Sequence, residues 1–453
     1  MKTLVIIGSG FSGAVTAIEF LRRRGGIVRL VLINRSGTMA RGLAYGTSSD
    51  GHLLNIPAGN MSAFVDEPNS FLTYCFDRGF EAFGHSFMPR RLYGEYLQSV
   101  LEAQIRLHGP TVEQIVGEVV RVDVGERKIL ILDSGLEIIA DHVVLALGNF
   151  TPRLPIPLAA CGQLDQVEVD PWKVELEKLN PLGSVLLLGS GLTALDMLVS
   201  LKLYDHRGPV YMLSRRGLLP LAHRLSHIPV ELLDDPGDRL LAGLPTALCY
   251  CKELRRCIAE HEHRGGDWRD IIAALRRNTT SLWKRLPVSE RKRFLRHLQP
   301  IWDVHRHRVA PPTYELFRSA LESGQLKTIA GRLEKVNPEG EVIQVDMRTR
   351  KDQTFLRLQV SMIINCTGPN SDLNFVIDPL IQQLVKDGLL VRDSHGLGLN
   401  VSSDLEVLDR SHEKVSWLSY IGPMLKASYW EATAVPELRQ RAQALAERLA
   451  RIL

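Results

Sequence analysis

The stretch from Thr3 to Arg35 constrains the fold more than any other. Thr3-Leu4-Val5-Ile6-Ile7 is an unbroken run of apolar and β-branched residues, the pattern of a strand buried on both faces of a parallel sheet. It breaks into Gly8-Ser9-Gly10-Phe11-Ser12-Gly13; Ala14 to Arg24 then reads as a helix, Gly25-Gly26 stop it, and Val28 to Ile33 form the next strand. Strand, G-x-G-x-x-G, helix, strand is a βαβ unit with a dinucleotide turn at its first corner. The glycines let the backbone turn tightly and approach a pyrophosphate, which rests on N–H groups at the helix N-terminus.

The second strand ends in Asn34-Arg35, where a dinucleotide site commonly places an acid about 20 residues past the last glycine to bind the ribose. The Asn34 amide oxygen can still accept a hydrogen bond, and Arg35 leaves open a 2′-phosphate, and so NADP, at this turn. A second fingerprint follows. Val185 to Leu188 is a buried-type strand, Gly189-Ser190-Gly191-Leu192-Thr193-Ala194 is the G-x-G-x-x-A variant, and a helix runs to about Leu203. Its second strand, Val210 to Leu213, ends in Ser214-Arg215-Arg216, a neutral hydroxyl and two guanidiniums, which suits a 2′-phosphate better than a free ribose; a solvated basic turn is the alternative. Two such turns in one chain point to one FAD and one NADPH (or NADH).

With 453 residues, more than one core is expected. The expected class is α/β, with two Rossmann-like domains: an FAD domain over 1–155, an NAD(P) domain over 172–335 carrying a helical insert at 236–310, and a return to the FAD domain over 336–453. Pro152, Pro155 and Pro157 mark the first boundary. A net charge of +4 does not argue for nucleic acid, and the six cysteines show no C-x-x-C and no zinc spacing. No apolar run is long enough to span a membrane, and three glycines and Glu19 interrupt any signal-like start, so a cytoplasmic protein is expected. Nothing in the sequence sets an oligomeric state.

Between the fingerprints, the long Gly/Asn/Pro-rich segment 41–75 is expected to be functional. Pro89 opens a helix to about His108; Ile115 to Val124, Lys128 to Leu132 and Glu137 to Ile139 read as a meander, and Val143 to Leu147 rejoin the sheet at Gly148. The insert reads as short helices rich in Arg and Lys, most simply a solvated face. Ile301 to Pro311 holds Asp303, His305, Arg306, His307 and Arg308; in an extended segment its imidazoles would share one face and line a pocket, and a charged surface turn is the equal alternative. The strand ending in Thr367-Gly368 and the later Ile421-Gly422-Pro423 are read as returns beneath a dinucleotide, the second followed by a helix N-terminus able to wall a flavin.

Gly8 to Gly13, Gly42-Leu43-Ala44-Tyr45, Leu54-Asn55-Ile56-Pro57-Ala58, Pro89 to Gly94, Ser214 to Gly217, Trp302 to Arg308 and Trp430 to Arg439 together resemble a bacterial family of NAD(P)/FAD-binding proteins that includes an FAD-dependent urate hydroxylase. More distantly the chain is similar to the N-hydroxylating flavin monooxygenases of lysine and ornithine. Met61, Pro68, Ser70, Phe71 and Tyr74 fall where those enzymes place a flavin-facing loop, and Asp141 to Gly148 matches their Asp-x-x-x-Leu-Ala-Thr-Gly strand with Leu147 in place of Thr. The resemblance implies that Ala44, Tyr45, Asn55 and Met61 belong to the flavin site. It implies NAD(P)H passing hydride to flavin N5, and reduced flavin reacting with O2 to a C4a-hydroperoxide that hydroxylates a small-molecule substrate. A flavin reductase without oxygen transfer and a non-catalytic redox sensor are the alternatives. No catalytic triad is expected; Asp303, His305 and His307 are candidates for proton transfer, and the arginines beside them hint at an anionic or purine-like substrate.

Overall fold

The strand Thr3–Ile7 is buried along its whole length, and one of the chain's two compact units is laid out around it. The structure, a computed structural model, describes residues 1–224 and 230–453. The first unit comprises 1–50, 56–150 and 371–453; the second comprises 51–55 and 151–370 and is therefore inserted in the first.

In the first unit, Thr3–Ile7 pairs in parallel with Arg29–Asn34 on one side and His142–Leu145 on the other. Val112–Val116 extends the sheet beyond Arg29–Asn34, and Lys414–Tyr420 extends it beyond His142–Leu145; Glu406–Leu408 closes that edge antiparallel. The apolar runs named from the sequence are thus the central parallel strands, as burial on both faces requires. The helix Phe11–Arg24 crosses this sheet, and the C-terminal helix Val435–Ile452 packs beside it, tied by Arg23 to Glu447 at 2.9 Å and by Arg24 Nε to the Ala450 carbonyl at 2.6 Å. The expected run Ile115 to Val124 is two strands. Val112–Val116 lies in the main sheet, and after Gly117 the chain enters a three-stranded antiparallel sheet of Val119–Val124, Lys128–Leu132 and Glu137–Ala140.

The second unit repeats the plan. Val185–Leu188 lies between Val210–Ser214 and Met362–Asn365, all parallel; Leu326–Glu339 continues the sheet in parallel, and Val342–Thr349 and Phe355–Val360 fold back antiparallel. This sheet moves the expected boundary. The sequence places 336–370 with the returning FAD domain, but their strands complete the inserted unit's sheet, and the first unit resumes at Ser371. The insert is helical as expected, from Pro236–Ala242 through Ala247–His263, Trp268–Ala274, Thr279–Arg285 and Val288–His297 to Gln299–Arg306. Several of its arginines are ion-paired, for example Arg239 with Glu253 at 2.8 Å and with Glu260 at 2.6 Å. No helix among the described residues is long and apolar enough to cross a membrane.

Candidate functional site

Each glycine of the first turn has a separate task. Gly8 holds φ +95°, and a Cβ there would lie 2.3 Å from the carbonyl oxygen of Ala146, just past the strand His142–Leu145. A Cβ on Gly13 would fall 1.9 Å from the Gly8 carbonyl oxygen, so the helix could not close on the strand. Gly10 is different: its φ is −76°, and a Cβ would meet only the Gly42 Cα at 3.5 Å. The fold therefore demands glycine at 8 and 13 but not at 10, where the freed space lies before the helix N-terminus. No side chain caps that N-terminus and no acid stands in its first turn, so its N–H dipoles suit an anion.

The second turn is built the same way. Gly189 has φ +111°, and its Cβ would lie 2.4 Å from the Cys366 carbonyl oxygen; its N–H donates to the Leu213 carbonyl at 2.8 Å, as that of Gly8 does to Ile33 at 2.8 Å. Ala194 takes the third position and is fully buried in the core. Gly191, with φ −83°, would carry a Cβ that meets nothing within 4 Å. The helix Leu192–Leu203, which begins with Leu192 and Thr193, likewise has no side-chain cap and no acid in its first turn. Both turns fit a pyrophosphate: each offers an open backbone cradle that a single methyl group would fill.

The serines inside the turns face the protein. Ser9 is fully buried, its carbonyl accepting from the Ala40 N–H at 2.7 Å; Ser190 Oγ donates to the Leu218 carbonyl at 2.6 Å. Each staples the segment that follows the second strand. Ser12 is buried as well, and its carbonyl accepts from Thr16 Oγ1 at 2.7 Å. Asn34 stands at the ribose position, but its amide is engaged locally. Its Oδ1 accepts from the Ser9 N–H at 3.4 Å, and its Nδ2 donates to Ser36 Oγ at 2.9 Å and to the Thr38 carbonyl at 3.0 Å. Arg35 lies 3.6 Å from Glu118 and 4.0 Å from Asp378, so carboxylates already face the group expected to invite a 2′-phosphate.

At the second turn the two arginines part company. Arg216 donates to the carbonyls of Arg296 and, at 3.1 Å, His297, closing the C-terminus of the helix Val288–His297. Arg215 is exposed, with no side-chain partner among the described residues, while Ser214 Oγ accepts from the Gly217 N–H at 3.0 Å. Of the pair, Arg215 is the one whose guanidinium is not taken up by the fold.

Around the first turn, Phe11 and Tyr45 join an aromatic cluster, with Tyr45 4.7 Å from Tyr93 and Phe71 5.0 Å from Tyr93 between ring centres. The Tyr93 hydroxyl is buried without a hydrogen-bond partner among the described residues, and burial holds its pKa well above the ordinary value. Ala44 is exposed, Met61 is buried, and Gly148 turns with φ +73° in open space after the strand His142–Leu145. Asn55 falls elsewhere. Residues 51–55 belong to the inserted unit, held by His52 Nε2 at 2.8 Å from Ser200 Oγ, and the Asn55 carbonyl accepts from His223 Nε2 at 3.0 Å. Gly368, read as part of the flavin-domain return, closes the inserted unit's turn two residues past Cys366. After Gly422, residues Pro423–Ala427 make a short 3₁₀ turn, and the Met424 N–H is taken by the Tyr420 hydroxyl at 3.0 Å; the expected helix begins only at Val435.

Residues 301–306 are helical, not extended. Asp303 and His305 lie within the helix Gln299–Arg306, and His307 is its C-cap. His305 is on the last helical turn and His307, with φ −94° and ψ 75°, lies outside the helix, so the two imidazoles do not alternate along one extended strip. His305 Nδ1 is 2.8 Å from the Ile301 carbonyl, and its ring packs edge-on to Trp268 at 4.9 Å. Sequence reasoning missed Arg224 and Arg269, whose charges act on Arg308. They are far from it along the chain and carry no motif. No group of side chains suited to a metal ion exists among the described residues, and all six cysteines are free.

A family model described as FAD-NAD(P)-binding matches residues 5–150. The matched segment is an FAD-NAD(P)-binding domain. No curated protein sequence matches the chain. Among solved structures, L-lysine 6-monooxygenase from Pseudomonas syringae superposes with a TM-score of 0.68 at 16% identity, covering 100% of both chains. Ornithine hydroxylase from Pseudomonas aeruginosa gives 0.65 at 15% identity, with 99% of each chain covered, and ornithine N-hydroxylase from Kutzneria sp. 744 gives 0.62 at 13%, again over 99% of each. At these identities the likeness is one of fold: two Rossmann-like units, the first built on the FAD-NAD(P)-binding domain.

Proposed function

We propose that the chain is an FAD-dependent, NAD(P)H-consuming oxidoreductase that hydroxylates a small molecule with O2. The observation that carries this reading is the repeated turn: two uncapped helix N-termini, each preceded by a glycine whose Cβ position is open, in two separate sheets. The FAD-NAD(P)-binding domain and the shared fold with N-hydroxylating monooxygenases support it. Bound FAD would supply hydride acceptance and oxygen activation, chemistry that belongs to the cofactor. The chain's share is binding and orientation. The N–H groups after Gly10 receive the FAD pyrophosphate, with Phe11, Tyr45 and Tyr93 as an apolar wall behind them. The N–H groups after Gly191 receive that of NADPH, and Arg215 takes its 2′-phosphate. The absence of a C-x-x-C motif leaves no dithiol relay of the disulfide-reductase kind.

Purified protein tests the reading. It should carry flavin absorbance near the visible band of FAD, bleach with NADPH under anaerobic conditions, and consume O2 faster with one member of a panel of amines, amino acids and anionic heterocycles, giving a product one oxygen heavier. NADPH oxidation yielding only H2O2 with every compound would replace the hydroxylase with a reductase. Protein that retains no FAD would end the proposal.

A further inference from the structure

Within the inserted unit, Arg308 is surrounded by the charges of Arg306, Arg269 and Arg224, brought together from three stretches of chain. Arg224 and Arg269 are matched by acids. Arg224 meets Asp270 at 2.6 Å and Asp267 at 3.8 Å; Arg269 meets Asp267 at 3.1 Å and donates to the Ala222 carbonyl at 3.1 and 3.2 Å. Asp270 is also 3.1 Å from His261 Nε2, and Asp267, held by Arg224 and Arg269, offsets only part of the repulsion on Arg308. Arg308 itself has no carboxylate within ion-pair distance among the described residues, and its Nε is buried with no hydrogen-bond partner there. Residues 225–229, which follow Arg224, include no acid in their sequence. The guanidinium carbon of Arg308 is 6.0 Å from the Trp268 ring centre and that of Arg269 is 4.4 Å from it.

The energetic consequence is visible in the neighbouring groups. Burial, and then repulsion from Arg306, Arg269 and Arg224, pushes the Arg308 pKa down to about 10. Burial, and then Arg308, pushes His223 down to about 4, so this imidazole is neutral and adds no positive charge. A half-buried cation with no directly bonded counter-ion, beside other cations, weakens the fold and is not what packing selects. It is what a site for a negatively charged ligand needs, because guanidinium forks bind carboxylate and phosphate oxygens in pairs and do so best when desolvated.

We propose that Arg308, with Arg306, Arg269 and Arg224 around it and Trp268 as a wall, forms a binding site for the carboxylate or phosphate group of a small molecule. The site stands on the inserted unit's own residues and does not depend on the flavin chemistry, so the two proposals fail separately.

Thermal melts of the full-length protein with malonate and, separately, inorganic phosphate test it, with Arg308→Met as the comparison. That substitution leaves both glycine turns intact, so anion taken up there cancels in the difference. At least one probe is expected to raise the wild-type midpoint, and Arg308→Met to weaken that probe by about tenfold to a hundredfold, the loss of a charge-assisted hydrogen-bonded pair. A response to malonate alone assigns a carboxylate ligand, and to phosphate alone a phosphate ester. Without anion, Arg308→Met should melt no lower than wild type, because an uncompensated charge has been removed. The proposal is overturned if neither probe acts on the wild type, if both variants respond equally, or if Arg308→Met melts well below wild type without ligand.

Discussion

Replacing Gly191 with Ala should separate the fold from the second cofactor. The backbone at Gly191 is extended, with φ −83° and ψ −169°, so any residue can adopt it, and the new methyl would meet nothing within 4 Å. Alanine is a poorer helix N-cap than glycine by a few tenths of a kcal/mol to about 1 kcal/mol, and it restricts the unfolded chain by a similar amount in the opposite direction. The net change in stability should therefore be within about 1 kcal/mol of zero. Binding is another matter. The methyl occupies the cradle where a pyrophosphate must approach the N–H groups, and displacing it forfeits one or two charge-assisted hydrogen bonds, each about 1.5–3 kcal/mol. NADPH affinity should fall by roughly tenfold to ten-thousandfold. Thermal melting, visible flavin absorbance and anaerobic reduction by NADPH read the three quantities in one preparation. Gly191→Ala should be folded, yellow and slow to bleach at NADPH concentrations that saturate the wild type. Gly10→Ala should be folded and colourless, because the same argument applies at the first turn, where its Cβ would find only Gly42 Cα at 3.5 Å. A Gly191→Ala protein reduced by NADPH with wild-type affinity would refute the assignment of that turn.

Other substitutions test the finer placements. Arg215→Ala should lower NADPH affinity more than NADH affinity at unchanged melting temperature, whereas Arg216→Ala should cost about 1 kcal/mol of stability by freeing helix-end carbonyls and leave the NADPH-to-NADH ratio nearly unchanged; comparing the two nucleotides' binding decides. Asn34→Asp restores an acid to the ribose position, but it swaps the Nδ2 donor for an oxygen facing the Thr38 carbonyl at 3.0 Å, so it should destabilise by about 1–3 kcal/mol without tighter FAD, as melting and flavin retention would report. His142 is 2% exposed, and burial, with Arg448 adding to it, lowers its pKa from 6.5 to about 3. The unfolded chain therefore takes up the proton first, and stability present above pH 6.5 is lost as the pH falls toward 3. Between pH 7 and 5, urea titrations should show wild type losing about 2 kcal/mol more than His142→Gln.

How much of this could be read from the sequence follows from which interactions are local. Both dinucleotide turns are, because strand, glycines and helix lie within one short stretch and each glycine answers to its own backbone angle or nearest strand. The extent of the inserted unit is not legible because strand pairing is not local: residues 342–360 read as β, but only their pairing beside Leu326–Glu339 shows which sheet they finish. That Asn55 lies in the inserted unit is hidden for the same reason. Its surroundings are set by His52 reaching Ser200 and by His223, none of which its own stretch of sequence discloses. At 301–308, alternation of polar residues reads equally as an extended strip or a charged surface turn, whereas Trp302, Asp303, Arg306 and the preceding Pro300 suit a helix with proline in its first turn.

The side chains around each turn show why motif residues and ligand-facing residues need not coincide. Ser9, Ser190, Asn34 and Arg216 all stand where a nucleotide motif places them, yet each directs its polar atoms into the protein, as does Arg35 toward Glu118. What remains turned outward is backbone: the N–H groups after Gly10 and Gly191, and the exposed Arg215. Recognition at the pyrophosphate is then almost wholly a property of main-chain geometry, insensitive to most side-chain changes and highly sensitive to one added carbon. That asymmetry is why a single methyl at 10 or 191 should do more to cofactor binding than removing the hydroxyl of Ser190, whose loss should appear in the stability of the turn, with cofactor affinity changed only as far as the turn itself loosens.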